Sequence, residues 1–156
     1  MRQRWKRIVL YAAGGLVLLF ALIQAVPYGR NHHKPPVSAE PTWDSAQTRA
    51  LAVRACFDCH SNQTTWPWYS NVAPVSWLVQ RDVDGGRSTL NFSEWNRPQD
   101  GAGDLADAVL GKSMPPWFYV LLHSNAKLSA VERQALAAGL SRTVAQSPPP
   151  GGAGGG

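Results

Sequence analysis

Cysteine is scarce in this chain, and its scarcity limits the chemistry that thiols can supply. The 156 residues contain only Cys56 and Cys59, so the second cysteine pair of a structural zinc site is missing. A thioredoxin-like redox pair follows a strand and opens a helix, whereas a helix-like run over residues 44–55 precedes these cysteines. A small disulfide, a redox pair and half of a zinc site are therefore weak alternatives for the pair.

Acidic residues are absent from the first 34 positions, which hold six basic ones. The other nine of the fifteen basic residues are matched by all ten acidic residues, so the rest of the chain carries a charge of about −1. The formal net charge of +5 is thus concentrated at the N-terminus. This concentration of positive charge indicates membrane topology. Because the rest of the chain is not basic, we predict no nucleic-acid partner.

A long uncharged stretch follows the basic N-terminus. Residues 8–29 would reach about 33 Å as a helix, which is enough to cross a bilayer. The positive charges before it predict that residues 1–7 are a cytoplasmic basic segment and that everything after Arg30 is exported. A cleaved signal peptide is the alternative, but Ile23-Gln24-Ala25 is a poor cleavage site. Residues 8–29 are therefore predicted to be an uncleaved transmembrane anchor.

The exported part divides into three segments. Residues 30–41 contain three prolines and are predicted to be a linker, and residues 146–156 a flexible Pro/Gly tail. Residues 42–145 form the predicted domain, which holds six of the seven tryptophans. Because neither a repeat nor a strand-like alternation is visible, the domain is predicted to be all-α with long loops.

Local signals place the helices of this domain. A capping box at Ser129 and Glu132 begins the last helix. A shorter helix is predicted over residues 104–110. Another begins at Pro74 and is predicted to end at the pair Gly85-Gly86. The apolar stripe of the last helix is predicted to be Val131, Leu136 and Leu140.

The pentapeptide Cys56-Phe57-Asp58-Cys59-His60 has the C-x-x-C-H pattern that attaches a c-type haem. Two thiols at this spacing can bond to both vinyl groups of one porphyrin, and His60 then lies beneath the ring as the proximal iron ligand. We therefore predict one haem c, held covalently by Cys56 and Cys59.

The occupant of the sixth iron position largely decides between electron transfer and catalysis. Met114 is the one methionine beyond the start codon, and Pro115 and Pro116 stiffen its loop. We predict that Met114 is the sixth ligand, since a thioether favours ferrous iron and raises the reduction potential. His123 is the alternative sixth ligand, because neutral imidazole also binds iron. Poorer candidates are His32, His33 and Lys112.

A haem also needs donors for its propionates and aromatic surface for its crevice. The middle of the chain offers both kinds of residue, although each is equally compatible with an ordinary surface or core position. The candidate haem contacts are Trp66, Trp68, Tyr69, Arg81, Arg87 and Arg97.

Longer stretches resemble the short bacterial haem-binding domains related to c-type cytochromes. The most specific match is residues 56–69, where Ser-Asn-x-Thr-x-Trp-Pro-Trp-Tyr extends the C-x-x-C-H motif. The other matches are residues 72–77, 82–87, 90–95 and 114–117, His123, and the helix start at 127–129. The resemblance covers residues 42–142 and implies a cytochrome c-like helical fold. It also implies covalent haem on Cys56 and Cys59, with His60 proximal and Met114 at the methionine position.

These observations lead to three functional hypotheses. The first is a single-pass, monohaem c-type electron carrier of the bacterial inner membrane, with its haem domain in the periplasm. Its partners would be redox proteins of the periplasm or inner membrane, and it would need no catalytic residue. The second is a haem-based sensor or peroxidase-like domain with an open or displaceable sixth ligand. The third, copper handling by the cysteines, Met114 and a histidine, leaves the position of His60 unexplained.

Overall fold

The structure of the chain is a computed structural model, which describes residues 2–151. Over these residues the β-structure is confined to one isolated bridge between Ala39 and Glu94. The prediction of an all-α fold is therefore confirmed. The α-helices are α1 (Arg2–Ile23), α2 (Ala46–Ala55), α3 (Phe57–His60), α4 (Val75–Thr89), α5 (Leu105–Leu110), α6 (Trp117–Leu122) and α7 (Ala130–Gln146), and two 3-10 helices cover Trp68–Asn71 and Ser124–Ala126.

The chain divides into two compact units. Unit 1 comprises Met1–His33 and Trp66–Arg81, and unit 2 comprises Lys34–Thr65 and Asp82–Gly156. Residue 1 and residues 152–156 lie outside the described residues, and with them the corresponding ends of the predicted segments 1–7 and 146–156. The predicted linker 30–41 is split between the units. Its last part is held in unit 2, where the Trp95 amide donates to the Ala39 carbonyl at 3.0 Å.

Helix α1 is long and apolar enough to cross a membrane, by its length and composition alone. It has 22 residues, its most apolar window has a mean hydropathy of 1.9, and none of its residues is buried. It ends at Ile23, six residues before the predicted limit at Gly29. Pro27 explains the earlier end, because its ring would clash with the carbonyl of Ile23 four residues before it. Gly29 then adopts a left-handed φ of +80° in the turn that follows.

The core of unit 2 is built where α2 and α5 pack against α7. Leu136 and Leu140 of α7 are fully buried there, as their predicted stripe requires. Val131 is 76% exposed, so its assignment to the same stripe is wrong. Five residues of helix correspond to a rotation of about 140°, which carries Val131 away from the face of Leu136.

Two helix boundaries match their sequence signals. The Ser129 hydroxyl accepts from the Glu132 amide at 3.2 Å, and Glu132 accepts from the Ser129 amide at 2.8 Å, so the capping box is complete. Helix α5 ends at Leu110 with Gly111 at its C-cap. Both predictions are confirmed.

Helix α4 differs from its prediction. It runs on through Gly85 and Gly86 to Thr89, instead of ending at the glycine pair. Glycine in a helix interior costs about 1 kcal/mol relative to alanine, which tertiary contacts can outweigh. At Gly86 such a contact exists with Cys59, and it belongs to the site described next.

Candidate functional site

The residues of the C-x-x-C-H motif form a single helical turn. Helix α2 ends at Ala55, and the backbone leaves the helical region at Cys56, which has φ −126° and ψ −34°. The chain then re-enters a four-residue helix, α3, in which the His60 amide donates to the Cys56 carbonyl at 2.9 Å. The motif therefore holds its first cysteine and its histidine one turn apart.

Aromatic packing fixes this turn to the core of unit 2. Phe57, the residue between the motif's first cysteine and Asp58, is 3% exposed. Its ring stacks on Phe92 with centroids 5.6 Å apart, and Phe92 stacks in turn on Trp95 at 5.8 Å. Such pairs add about 0.5–1.5 kcal/mol each beyond the area they bury. Phe57, which is itself part of the motif, therefore anchors the motif to the core of unit 2.

The His60 ring has a defined orientation and protonation. Its Nδ1 lies 3.1 Å from the carbonyl oxygens of both Gly86 and Leu90. Because a carbonyl only accepts, Nδ1 must carry the hydrogen and donate it, which leaves the lone pair on Nε2. Burial lowers the pKa of His60, although the two backbone hydrogen bonds raise it in part. A neutral imidazole with a fixed Nδ1–H and a basic Nε2 is the form that binds a metal ion.

Gly86 allows α4 to approach the motif closely. A Cβ on Gly86 would stand 3.0 Å from the Cβ of Cys59 and closer still to the Cys59 carbonyl group. The same stretch of α4 supplies the Gly86 carbonyl to His60. A glycine is therefore required for the contact that orients the histidine.

Cys56 and Cys59 both have raised thiol pKa values. Cys56 and Cys59 form no disulfide with each other. Burial, and secondly the neighbouring Cys59, raises the pKa of Cys56 to about 12. Burial, and then the charges of Asp82 and Asp58, raises the pKa of Cys59 to about 12. Reactive redox cysteines have lowered pKa values, so these thiols do not have the character of a thioredoxin-like pair.

An apolar cavity of about 170 Å³ opens beside the motif in unit 2. Cys56, His60 and Met114, which are far apart in the sequence, all contribute to its lining. The structure therefore brings three of the predicted site residues to one cavity. Its apolar walls come mainly from Ala55, Leu90, Phe92, Leu105, Val109 and Leu140.

The Met114 loop is held by hydrogen bonds of its backbone. The Met114 amide donates to the Ala108 carbonyl at 3.0 Å. Arg133 of α7 donates from one nitrogen to the carbonyls of Val109, at 2.9 Å, and Met114, at 3.2 Å. The side chain of Met114 is 36% exposed, so it lies at the rim of the cavity.

His123 and Lys112, unlike Met114, do not line the cavity. His123 forms the C-cap of α6, its Nδ1 donates to the Tyr119 carbonyl at 3.0 Å, and its ring stacks on Tyr119 at 4.1 Å. The lining of the cavity includes Met114 and neither of the other two residues. Lys112 is exposed and adopts a left-handed φ of 62° just after α5.

Four of the candidate haem contacts belong to unit 1. Trp66 stacks on His32 with centroids 4.6 Å apart, and Trp68 is 79% exposed with its ring edge-on to Tyr69 at 5.9 Å. Arg81 is exposed at the end of this unit. Haem contacts for these residues stay predictions.

Arg87 and Arg97 belong to unit 2 and already bind the protein. Arg87 donates from Nε to the Ser61 carbonyl at 2.9 Å and from its terminal nitrogen to the Thr64 hydroxyl at 3.0 Å. Arg97 donates to Glu94 at 2.7 Å and to the Arg87 carbonyl at 2.7 Å. Arg87 therefore ties the loop after the motif to α4, whatever else it binds.

Asp58, inside the motif, was not predicted as a site residue. Its Oδ2 accepts from the Tyr119 hydroxyl at 2.6 Å, and its Oδ1 accepts from the Thr65 amide at 2.8 Å. The charged position between the two cysteines was visible in the sequence, but its partner lies 61 residues away. No local pattern could have joined the two.

The helical fold and the apolar cavity beside a C-x-x-C-H turn define a protein class that binds a haem. A family model described as a haem-binding domain matches residues 18–142, which is most of the chain. The chain belongs to this family of haem-binding domains, and haem is its cofactor. No curated protein and no solved structure matches the chain.

The cavity residues fit this group. Apolar walls suit the faces of a porphyrin, and a neutral imidazole and a thioether are both iron ligands. Among residues 2–151, no cluster of three or more His, Cys, Asp or Glu side chains could hold a metal ion by itself. A haem iron needs no such cluster, because the porphyrin supplies four of its ligands.

Proposed function

We propose that the chain is a membrane-anchored, monohaem c-type cytochrome-like protein that transfers single electrons. The observation that carries this proposal is the meeting of Cys56, His60 and Met114 at one apolar cavity. A protein with ligands for both axial positions of the iron is suited to electron exchange rather than catalysis.

The roles of the residues follow from their chemistry. Each thiol of Cys56 and Cys59 would add across one vinyl group, with sulfur bonding to one carbon and hydrogen to the other. His60 would be the proximal ligand through Nε2, since Nδ1 is engaged with the carbonyls of Gly86 and Leu90. Met114 would supply the sixth ligand from the rim of the cavity. The chemistry that a bound haem would supply is an iron centre with accessible ferrous and ferric states.

The proposed location rests on α1 and on the charge of its N-terminus. The helix is long enough to cross the inner membrane, and its basic residues favour the cytoplasmic side, so unit 2 would lie in the periplasm. The partners would be redox proteins of the periplasm or inner membrane. The anchor would keep their encounters at the membrane surface.

A haem-based sensor is the second candidate function. It is supported by the exposure of Met114, because a rim ligand that is 36% exposed is accessible to displacement by a small molecule. A peroxidase-like activity has less support. Such an activity needs a distal acid-base group, and His123, which could serve as one if it faced the ring, caps α6 and stacks on Tyr119 outside the lining of the cavity.

Copper handling has less support than either haem function. Cu(I) favours thiolate and thioether ligands, but a copper site gives no reason for the position of His60 directly after Cys59. The C-x-x-C-H spacing is typical of haem attachment, and the chain belongs to a family of haem-binding domains.

The test is to produce the full chain in an export host with haem-attachment machinery and to record spectra with and without carbon monoxide. A carrier should show low-spin spectra, a methionine-to-iron charge-transfer band in the far red, and no carbon monoxide binding. Met114→Ala should lose that band, whereas the matched variant His123→Ala should keep it. A wild-type protein that lacks the band, or a Met114→Ala protein that retains it, contradicts the assignment of Met114. Carbon monoxide binding by the wild type would favour the sensor.

A further inference from the structure

Tyr119 joins α6 to the centre of the haem-attachment motif. Its hydroxyl donates to Asp58 Oδ2 at 2.6 Å, and Asp58 lies between the two cysteines. The other carboxylate oxygen, Oδ1, accepts the Thr65 amide at 2.8 Å, so both oxygens are fixed. A hydrogen bond to an ionised acceptor is short and about twice as strong as a neutral one. The contact therefore ties α6 to a rigid part of unit 2.

Helix α6 depends on such contacts because it has little apolar packing. None of its six residues is buried. Trp117 is 78% exposed and Leu121 is 75% exposed, and the helix packs on the 3-10 helix that follows it. A helix this short is not stable by itself in water. Its polar attachments therefore contribute much of what fixes its position.

The position of α6 sets the position of Met114. Only Pro115 and Pro116 separate the methionine from the first residue of the helix, and their fixed φ angles leave the connection stiff. On the other side, Arg133 binds the Met114 carbonyl at 3.2 Å. The loop is thus held at one end by α7 and at the other by α6.

We propose that Tyr119 is a positioning residue, whose hydrogen bond to Asp58 keeps Met114 within reach of a haem attached to the motif. The inference rests on the proposed function, because it takes Met114 as the sixth ligand. One contact then joins the motif that contains His60, through Asp58, to the Met114 loop, through α6. Loosening the contact would then open the sixth position without touching either axial ligand.

The experiment compares Tyr119→Phe with wild type, both as the full chain with haem attached. Tyr28→Phe is the control, since it makes the same chemical change on an exposed residue of unit 1. The readouts are the methionine-to-iron band, carbon monoxide binding to the ferrous protein, and hydrogen exchange of the α6 amides. We expect Tyr119→Phe to weaken the band, to admit carbon monoxide, and to speed exchange of α6 about tenfold, which corresponds to about 1.4 kcal/mol.

A second pair of variants tests whether the effect runs through Asp58. Asp58→Ala should speed exchange of α6 like Tyr119→Phe, and the double variant should exchange no faster than Asp58→Ala alone, because the two residues share one bond. Additive effects would overturn the inference.

The outcomes separate this inference from the proposed function. A wild-type band that is unchanged in Tyr119→Phe overturns the positioning role and leaves Met114 as the ligand. A wild type without the band overturns the ligand assignment, and the positioning role with it. A band that weakens in Tyr119→Phe and persists in Tyr28→Phe supports both.

Discussion

The lack of a side chain at Gly86 allows α4 to pack closely against the motif. The Gly86 carbonyl accepts from His60 at 3.1 Å, while the space for its Cβ is taken by Cys59. Gly85, its neighbour on the same helix, has nothing within 4 Å of the corresponding position. The two glycines are neighbours on one helix, but only Gly86 lies against another part of the chain. Substituting each in turn therefore isolates the effect of that contact.

Gly86→Ala should destabilise the protein by about 2 kcal/mol, because the added Cβ forces α4 away from Cys59. Gly85→Ala should instead stabilise it by about 0.5–1 kcal/mol, since alanine is the better helix former and meets no neighbour. Denaturant unfolding of both variants measures the difference. Equal stability of the two variants would show that α4 does not approach the motif in this way.

At the scale of elements, the beginning of α7 is stabilised by charge as well as by its capping box. The backbone amide of Ser129, and secondly Arg54, lowers the pKa of Glu132 from its ordinary 4.5 to about 2. Arg54 lies on α2, and its guanidinium is 2.6 Å from the Glu132 carboxylate. One carboxylate therefore caps α7 and joins it to α2.

The lowered pKa predicts a pH dependence of stability. Glu132 should stabilise the fold fully above its unfolded pKa of about 4.5, and this contribution should be lost as the pH falls towards 2. In Glu132→Gln the contribution is absent at every pH. The difference in melting temperature between wild type and Glu132→Gln should therefore shrink from pH 5 to pH 2. A difference that stays constant over this range would mean that the Glu132 pKa is not lowered.

The helices that the sequence predicted well are those whose ends are set by local chemistry. The cap of α7 needs only Ser129 and Glu132, three residues apart, and α5 ends at the glycine that follows it. Helix α4 was wrongly predicted to end at its glycine pair. The close approach of Cys59 to Gly86 is a tertiary contact, which the local sequence does not reveal. Helix propensity is a local property, and tertiary contacts of this kind can override it.

At the scale of the whole molecule, α1 and unit 2 divide the proposed function between a membrane span and a haem site. The basic N-terminus and the apolar helix were both readable from composition. The C-x-x-C-H motif was readable because its residues are adjacent. The Nδ1 acceptors of His60 and the partner of Asp58 were not, since they come from residues 26 to 61 positions away.

Arginine in the middle of α1 should release the chain from membranes. A central arginine costs about 2.5–3.5 kcal/mol in a membrane-spanning helix, so Leu16→Arg with Leu19→Arg should abolish stable insertion. Leu16→Ala with Leu19→Ala is the control, which removes the same side chains without adding charge. The measurement is the fraction of chain that stays in the membrane pellet after an alkaline wash. Retention of the double arginine variant would argue against an anchor.

The central claim is covalent attachment of one haem at Cys56 and Cys59. Its most direct measurement is the pyridine haemochrome spectrum and haem stain of the full chain after denaturation, beside the double variant Cys56→Ala, Cys59→Ala. The account predicts one haem per chain that stays with the denatured wild type and is lost from the double variant. Haem that washes out of the wild type, or that stays bound covalently without both cysteines, would contradict it.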